Sequence, residues 1–167
     1  MKVYHGSMEI VNKPKIIAPS RALDYGSGFY TTTSSEQAGR WVRRKLDTRH
    51  QKGWVNIYEW DSDKAKGLNI LRFYSPDEDW LDFVMNNRTD IHYHHDYDIV
   101  YGPVADDRVY AAFALYEQGF LDKQALIGEL KAYKLVDQLL FHTENSLRTL
   151  TYIEKKEVLY DTTNHTG

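Results

Sequence analysis

Tyr4-His5-Gly6-Ser7 and, about two dozen residues later, Gly26-Ser27-Gly28-Phe29-Tyr30-Thr31-Thr32 decide how this chain is read. The first ends a short run, Lys2–Tyr4, that reads as a strand stopping at His5-Gly6-Ser7. The second joins two glycines to Phe29–Thr32, a run of β-favouring residue types. Glycine directly after a strand leaves no Cβ to hold a ligand away from the backbone. An adjacent imidazole can donate or accept a hydrogen bond at neutral pH. Taken singly, His-Gly is a common turn, and the glycine pair is a plain link between a strand and a helix.

Working outward, Ser34 with Gln37 three residues on is a capping-box start, and Ala38, Trp41, Val42 and Leu46 follow at helical spacing. This pattern predicts a helix over 34–49. Trp54–Trp60 alternates, with Val55 and Ile57 on one face and Asn56 and Tyr58 on the other, which predicts a strand. A second strand is expected over Leu68–Tyr74. Ser75-Pro76-Asp77-Glu78 then reads as a helix start with Ser75 as the cap and proline at the first helical position. Tyr97–Tyr101 is expected as a strand ended by Gly102-Pro103, and Asp106 or Asp107 opens a helix that Gly119 closes. A helix over Lys123–Tyr133, a strand over Gln138–His142, a cap at Thr143 and a final strand over Leu150–Leu159 complete the pattern. Strands do not alternate regularly with long helices, so the class is α+β. One domain over 1–160 and a polar tail over 161–167 are expected.

Composition narrows the chemistry. The 167 residues include no cysteine, which excludes thiol nucleophiles, disulfides and thiolate metal sites. Hydrophobic residues at 42% and a length typical of one domain describe a chain that folds without a metal or disulfide staple. A net charge of −3 gives no field-driven case for nucleic acid or acidic membranes. No apolar run is long enough for a signal peptide or a membrane helix, so a cytoplasmic location is expected, with secretion by a signal-less route left open. Thirteen tyrosines are an excess that asks which of them touch a ligand.

In combination, the strand-His-Gly-Ser segment and the Gly-x-Gly-aromatic-Tyr-Thr-Thr segment before a helix resemble the ADP-ribosyltransferase superfamily. The resemblance is to the His–Tyr branch containing the poly(ADP-ribose) polymerase and diphtheria-toxin catalytic domains. More narrowly, Tyr4–Ser7, Gly26–Thr32, Tyr97–Ala105 and Gln138–Thr143 resemble a bacterial family catalogued as a domain of unknown function. The resemblance implies a split β-sheet core with flanking helices, and NAD as substrate. It implies that His5 hydrogen-bonds the adenosine-side ribose 2′-hydroxyl. It further implies that the Gly6 backbone clamps the nicotinamide carboxamide, that Ser7 adds a hydroxyl contact and that Tyr30 stacks on the nicotinamide ring. Tyr4, Gly28, Phe29 and Thr31 complete the implied binding segments. The activity so implied is mono-ADP-ribosyl transfer by a toxin-type bacterial effector, with an unknown acceptor (protein favoured over nucleic acid) and a cognate antitoxin among the expected partners. A catalytically silent binding module for NAD, ADP-ribose or protein on the same fold is the alternative.

Active members of that branch place a glutamate on a later strand. Here Gln138 is the candidate for that third catalytic position, and a glutamine can hold a hydroxyl but cannot act as a general base. Glu144 beyond the strand is the substitute carboxylate, and an edge-strand polar residue is the plain alternative for Gln138. His92, His94, His95 and Asp96 invite a metal reading, but their spacing lacks a paired-ligand pattern and an exposed loop is expected. Arg40 to Lys45 forms a basic helix face whose default is solvation; it is the place to look for a nucleic-acid acceptor.

Overall fold

A computed structural model describes residues 1–17, 25–104 and 107–162. Its elements run β1 (Lys2–Ser7), β2 (Phe29–Thr32), α1 (Ser35–Arg43), β3 (Lys52–Trp60), β4 (Ile70–Arg72) and α2 (Glu78–Thr89). Then follow β5 (Ile99–Pro103), α3 (Asp107–Glu117), α4 (Lys123–Ala132), β6 (Asp137–Phe141), α5 (Glu144–Leu147) and β7 (Leu150–Leu159). The class is mixed α+β, with a seven-stranded sheet in the order β4-β5-β6-β2-β1-β3-β7. Neighbouring strands are antiparallel except β4 and β5. Ala105, Asp106 and the tail from 163 lie outside the described residues.

Local chemistry sets the ends of the elements. The Ser34 side chain accepts from the Gln37 N–H, as the capping pattern predicts. The helix stops at Arg43 instead of running to 49. Asp47 is the reason: its carboxylate accepts the Arg49 and His50 N–H groups at 2.8 and 2.7 Å and folds the chain into a turn. Helix α2 is capped by Asp77, which accepts from the Trp80 N–H, so Ser75 and Pro76 lie outside it. Strand β1 continues through His5 and Gly6 to Ser7, because β3 pairs with it along that whole length. The strand expected over 68–74 is limited to the three residues of β4. Strand β5 runs on through Gly102 and Pro103, opposite Gln138 and Asp137 of β6 and past the end of β4.

Two layers of core use the two sheet faces. Val3, Phe29, Tyr58, Ile99, Leu139 and Phe141 pack together on one face. On the other, Trp80, Val84, Phe113, Leu126 and Leu140 join Tyr25 beneath α2, α3 and α4. Helix α1 covers Val55 and Ile57 with Ala38 and Val42. Hence the expected strand β3 is buried on both faces over residues 55–58. The Tyr25 hydroxyl accepts from the Trp80 indole N–H at 2.7 Å and donates to the Pro103 carbonyl at 2.8 Å. A Cβ on Gly102 would lie 2.6 Å from that hydroxyl oxygen, so glycine there makes room for Tyr25.

The sheet has a seam. Strands β1 and β3 share six register pairs, whereas β1 and β2 share the single pair Tyr4–Thr32. Beyond that pair the two strands part, and side chains take over from the backbone ladder.

Candidate functional site at the seam between β1 and β2

His5 spans the seam. Its Nδ1 lies 2.6 Å from the carbonyl oxygen of Tyr30. A carbonyl can only accept, so Nδ1 carries the proton and Nε2 keeps a lone pair in the neutral ring. Burial pushes the imidazole's pKa below its ordinary value, partly offset by the Tyr30 carbonyl. The ring stays neutral at physiological pH and presents one acceptor. It lies against Phe29, with centroids 4.3 Å apart.

Pairing fixes which side chains share this face. Thr32 sits opposite Tyr4 and Gln138, and Tyr30 sits opposite Leu140. Tyr4, Gly6, Tyr30, Thr32 and Gln138 therefore project to one side of the sheet, and Val3, His5, Ser7, Phe29 and Thr31 to the other. The structure brings His5 and Phe29 together. Tyr30 joins His5 through its backbone, while its ring packs on the opposite face against the core that holds Leu140. The Tyr30 hydroxyl donates to the Gly26 carbonyl at 2.5 Å and accepts from the Tyr25 N–H at 3.3 Å. The Ser7 Oγ accepts from the Glu9 N–H, and the Thr31 hydroxyl donates to the Leu139 carbonyl.

The glycines have packing reasons. A Cβ on Gly6 would come 2.5 Å from the Ala38 carbonyl oxygen and 3.0 Å from Val42 Cγ2, so helix α1 occupies that direction. A Cβ on Gly28 would meet the Phe141 carbonyl at 2.7 Å and His142 Nδ1 at 3.0 Å. Gly26 has φ +84°, which favours glycine outright.

Gln138 lies in an interior strand between β2 and β5, which corrects the edge-strand alternative. It is 5% exposed, and its Nε2 has no hydrogen-bond partner among the described residues. A neutral amide donor thus sits dry on the Tyr30 side of the sheet. Asp137, on the opposite face, accepts from the Tyr101 hydroxyl at 3.2 Å. Glu144 is exposed in the first turn of α5.

Two histidines that the sequence did not single out as site residues hold the turn before Phe29. His142 Nδ1 lies 2.6 Å from the Ser27 carbonyl, so this nitrogen is also the protonated one. His142 Nε2 is buried without a partner among the described residues. Burial pushes its pKa down to about 4; the Ser27 carbonyl and Asp98 oppose that shift, and His95 adds to it. His95 Nε2 sits 3.4 Å from the Tyr25 carbonyl, and its ring meets that of His142 edge-on at 4.5 Å. The expected exposed loop fits His92 and His94, but His95 is half-buried. Among the described residues no three His, Asp or Glu side chains gather as a metal-ligating group.

Asn56 is the other residue missed. Fully buried, it accepts the Val11 N–H at 2.8 Å and donates to the Glu9 and His5 carbonyls at 3.1 and 3.4 Å. It fastens the segment after β1 to β3. A lone amide inside the apolar run Val55–Tyr58 was the available signal.

Two surface concavities lie elsewhere. One of about 500 Å³ is bounded by Gly39, Arg43, Val55 and Lys156. Another of about 790 Å³ is bounded by Met8, Arg49, Lys52 and Trp54. His5, Tyr30 and Gln138 line neither. No helix among the described residues is long and apolar enough to cross a membrane. Comparison with curated proteins and with solved structures returned no match to either. A family match does exist: over residues 1–152 the chain belongs to the family described as protein of unknown function, DUF3990.

Proposed function

We propose that this protein is an NAD-dependent mono-ADP-ribosyltransferase-like enzyme of the toxin-effector type, cleaving the nicotinamide–ribose bond and passing ADP-ribose to an acceptor. The observation that carries the reading is the His5 side chain bridging the seam to the Tyr30 carbonyl. It ties together the two segments on which the superfamily resemblance rests. It also leaves a neutral imidazole with Nε2 as an acceptor, the form needed to receive a hydrogen bond from a ribose hydroxyl. The single backbone pair between β1 and β2 is compatible with a split sheet.

Breaking the bond from nicotinamide to ribose develops oxocarbenium character on the sugar, so orientation and electrostatics dominate the barrier. His5 would hold the adenosine-side ribose, and the backbone of Gly6 and the Ser7 hydroxyl would hold the carboxamide. Gln138, buried on the sheet face opposite His5, stands at the strand position where the branch carries a glutamate, and a glutamine brings no negative charge there. That neutral group favours modest turnover and single transfers over chain growth.

The test is nicotinamide release from NAD, followed chromatographically, for the native chain, His5→Ala and Tyr30→Ala. Loss of release in both variants, with cooperative melting retained, supports the enzyme. Undiminished turnover in both would falsify it. A second reading follows from Gln138 itself: a dry glutamine, and no carboxylate, at the third position suits a silent module that binds NAD or ADP-ribose. Calorimetric NAD binding without nicotinamide release distinguishes that module from the enzyme.

A further inference from the structure

Three consecutive carbonyl groups in the turn before β2 are each held by a ring side chain. His95 Nε2 holds that of Tyr25, the Tyr30 hydroxyl that of Gly26, and His142 Nδ1 that of Ser27. Tyr30 belongs to the strand the turn feeds. The two histidines come from elsewhere: His95 from the loop before β5, and His142 from the residue after β6. They clamp the turn from outside, and their rings meet edge-on at 4.5 Å.

Hydrogen bonding fixes both tautomers. A carbonyl only accepts, so His95 carries its proton at Nε2 and His142 at Nδ1. Neither ring has a place for a second proton. His95 Nδ1 already accepts the Tyr97 N–H at 3.3 Å, and a proton there would set donor against donor. His142 Nε2 is buried with no partner among the described residues to receive one. Protonating both rings would also set like charges side by side. Burial pushes both pKa values down, that of His142 to about 4.

The surrounding charges offset this only in part. Asp98 opposes the shift at His142, but its carboxylate already accepts the Thr143 hydroxyl at 2.6 Å and the Asn69 N–H at 2.9 Å. Asp96 opposes the shift at His95 and His94 adds to it, both from exposed positions in the same loop. Glu144 is exposed at the start of α5. Helix α2 faces His95 with the Phe83 ring at 5.3 Å. Its Asp82 pairs with Lys123, and its Arg88 lies over the rings of Tyr110 and Phe113. Residues 25–28 of the turn carry no charged side chain.

We infer that His95 and His142 form an acid-released latch on this turn. Proton uptake frees both rings, so that the turn at 25–28 and the loop at 92–97 separate while the sheet stays folded. Because the turn delivers Phe29 and Tyr30 to the seam, opening takes the candidate site apart, and neutralisation rebuilds it. The latch stands whether or not the protein consumes NAD. It differs from a general loss of stability in acid because only these two segments respond.

Amide hydrogen exchange followed by NMR from pH 7 to 5, corrected for its intrinsic pH dependence, tests the latch. The Tyr25 N–H, bonded to the Tyr30 hydroxyl, and the Tyr97 N–H, bonded to His95, report the opening. A released imidazole titrates near 6.5 and the latched His142 near 4, so protection at both amides should fall on the order of 30-fold by pH 5 from His142 alone. His95 steepens that fall. Val100 and Leu140 in the core keep their protection, and return to pH 7 restores the two reporters. His142→Gln and His95→Gln each retain a donor for the turn but cannot titrate, so each flattens the dependence and the double variant abolishes it. If the double variant loses cooperative melting, the single variants decide. The inference is overturned if Tyr25 and Tyr97 stay protected to pH 5, or if Val100 and Leu140 lose protection in step with them. Single variants that respond to pH like the native chain overturn it too, as does a loss that pH 7 does not reverse.

Discussion

His142 donates its Nδ1–H to the carbonyl oxygen of Ser27 at 2.6 Å, pinning the turn that leads into β2. The ring is neutral when it does so, and its Nε2 has no partner among the described residues to accept a second proton's hydrogen bond. Protonation would therefore bury a charge beside His95, with Asp98 as the countercharge in reach.

The pH dependence follows in sign. The unfolded chain binds the proton near 6.5 and the folded chain near 4, so the unfolded state holds more protons between these values. Stability is full above about pH 6.5 and falls as pH drops toward 4, by on the order of 2–3 kcal/mol from this group. His142→Gln keeps a donor for Ser27 but does not titrate. Urea unfolding from pH 4 to 7 should show a shallower acid loss in that variant, and identical curves would remove His142 as the cause.

Across the seam, His5→Ala removes the donor to the Tyr30 carbonyl and uncovers one side of Phe29. A loss of about 1–3 kcal/mol is expected with cooperative unfolding intact. Denaturant titration measures it, and a 15N spectrum of the native protein should show His5 protonated at Nδ1 alone.

Gly6→Ala and Gly128→Ala are predicted to move stability in opposite directions. At Gly6 the new methyl meets the Ala38 carbonyl, and pushing α1 outward should cost about 1–3 kcal/mol. At Gly128, exposed in α4 with nothing within 4 Å of a Cβ, alanine should add about 0.5–1 kcal/mol through helix propensity. Thermal melts of the two variants provide the comparison.

Gln138→Met separates structure from function. The native amide nitrogen makes no hydrogen bond among the described residues, so an apolar side chain of similar length should leave stability within about 1 kcal/mol or raise it. If Gln138 touches the ribose, nicotinamide release falls sharply in the same variant. A fall in stability with no change in release would assign the side chain to packing.

Much of the architecture is legible because the decisive signals are local. Ser34, Asp122 and Thr143 cap helices, and the residue types of Phe29–Thr32 and Leu150–Leu159 favour strands. What misleads is set by distant neighbours. The alternation of β3 gives a strand but not its covering, which comes from α1 on one face and the segment after β1 on the other. His142 and His95 meet through chain segments far apart in sequence, and Asn56 acquires two of its three bonds only once residues 9–11 fold back. In the sequence the glycines suggest close approach to a ligand, whereas at Gly6 the helix behind it fixes the requirement.

The placement of the tryptophans turns the protein into its own instrument. Trp80 sits dry with its indole bonded to Tyr25, so its emission should be blue-shifted and fed by energy transfer from the neighbouring tyrosine. Trp41, open to water on α1, should emit at longer wavelength and quench readily. Red-edge changes would then track events on the outer flank of α1, where the Lys45 ammonium lies over the Trp41 ring, and blue-edge changes would track loss of the core, within a single unlabelled sample.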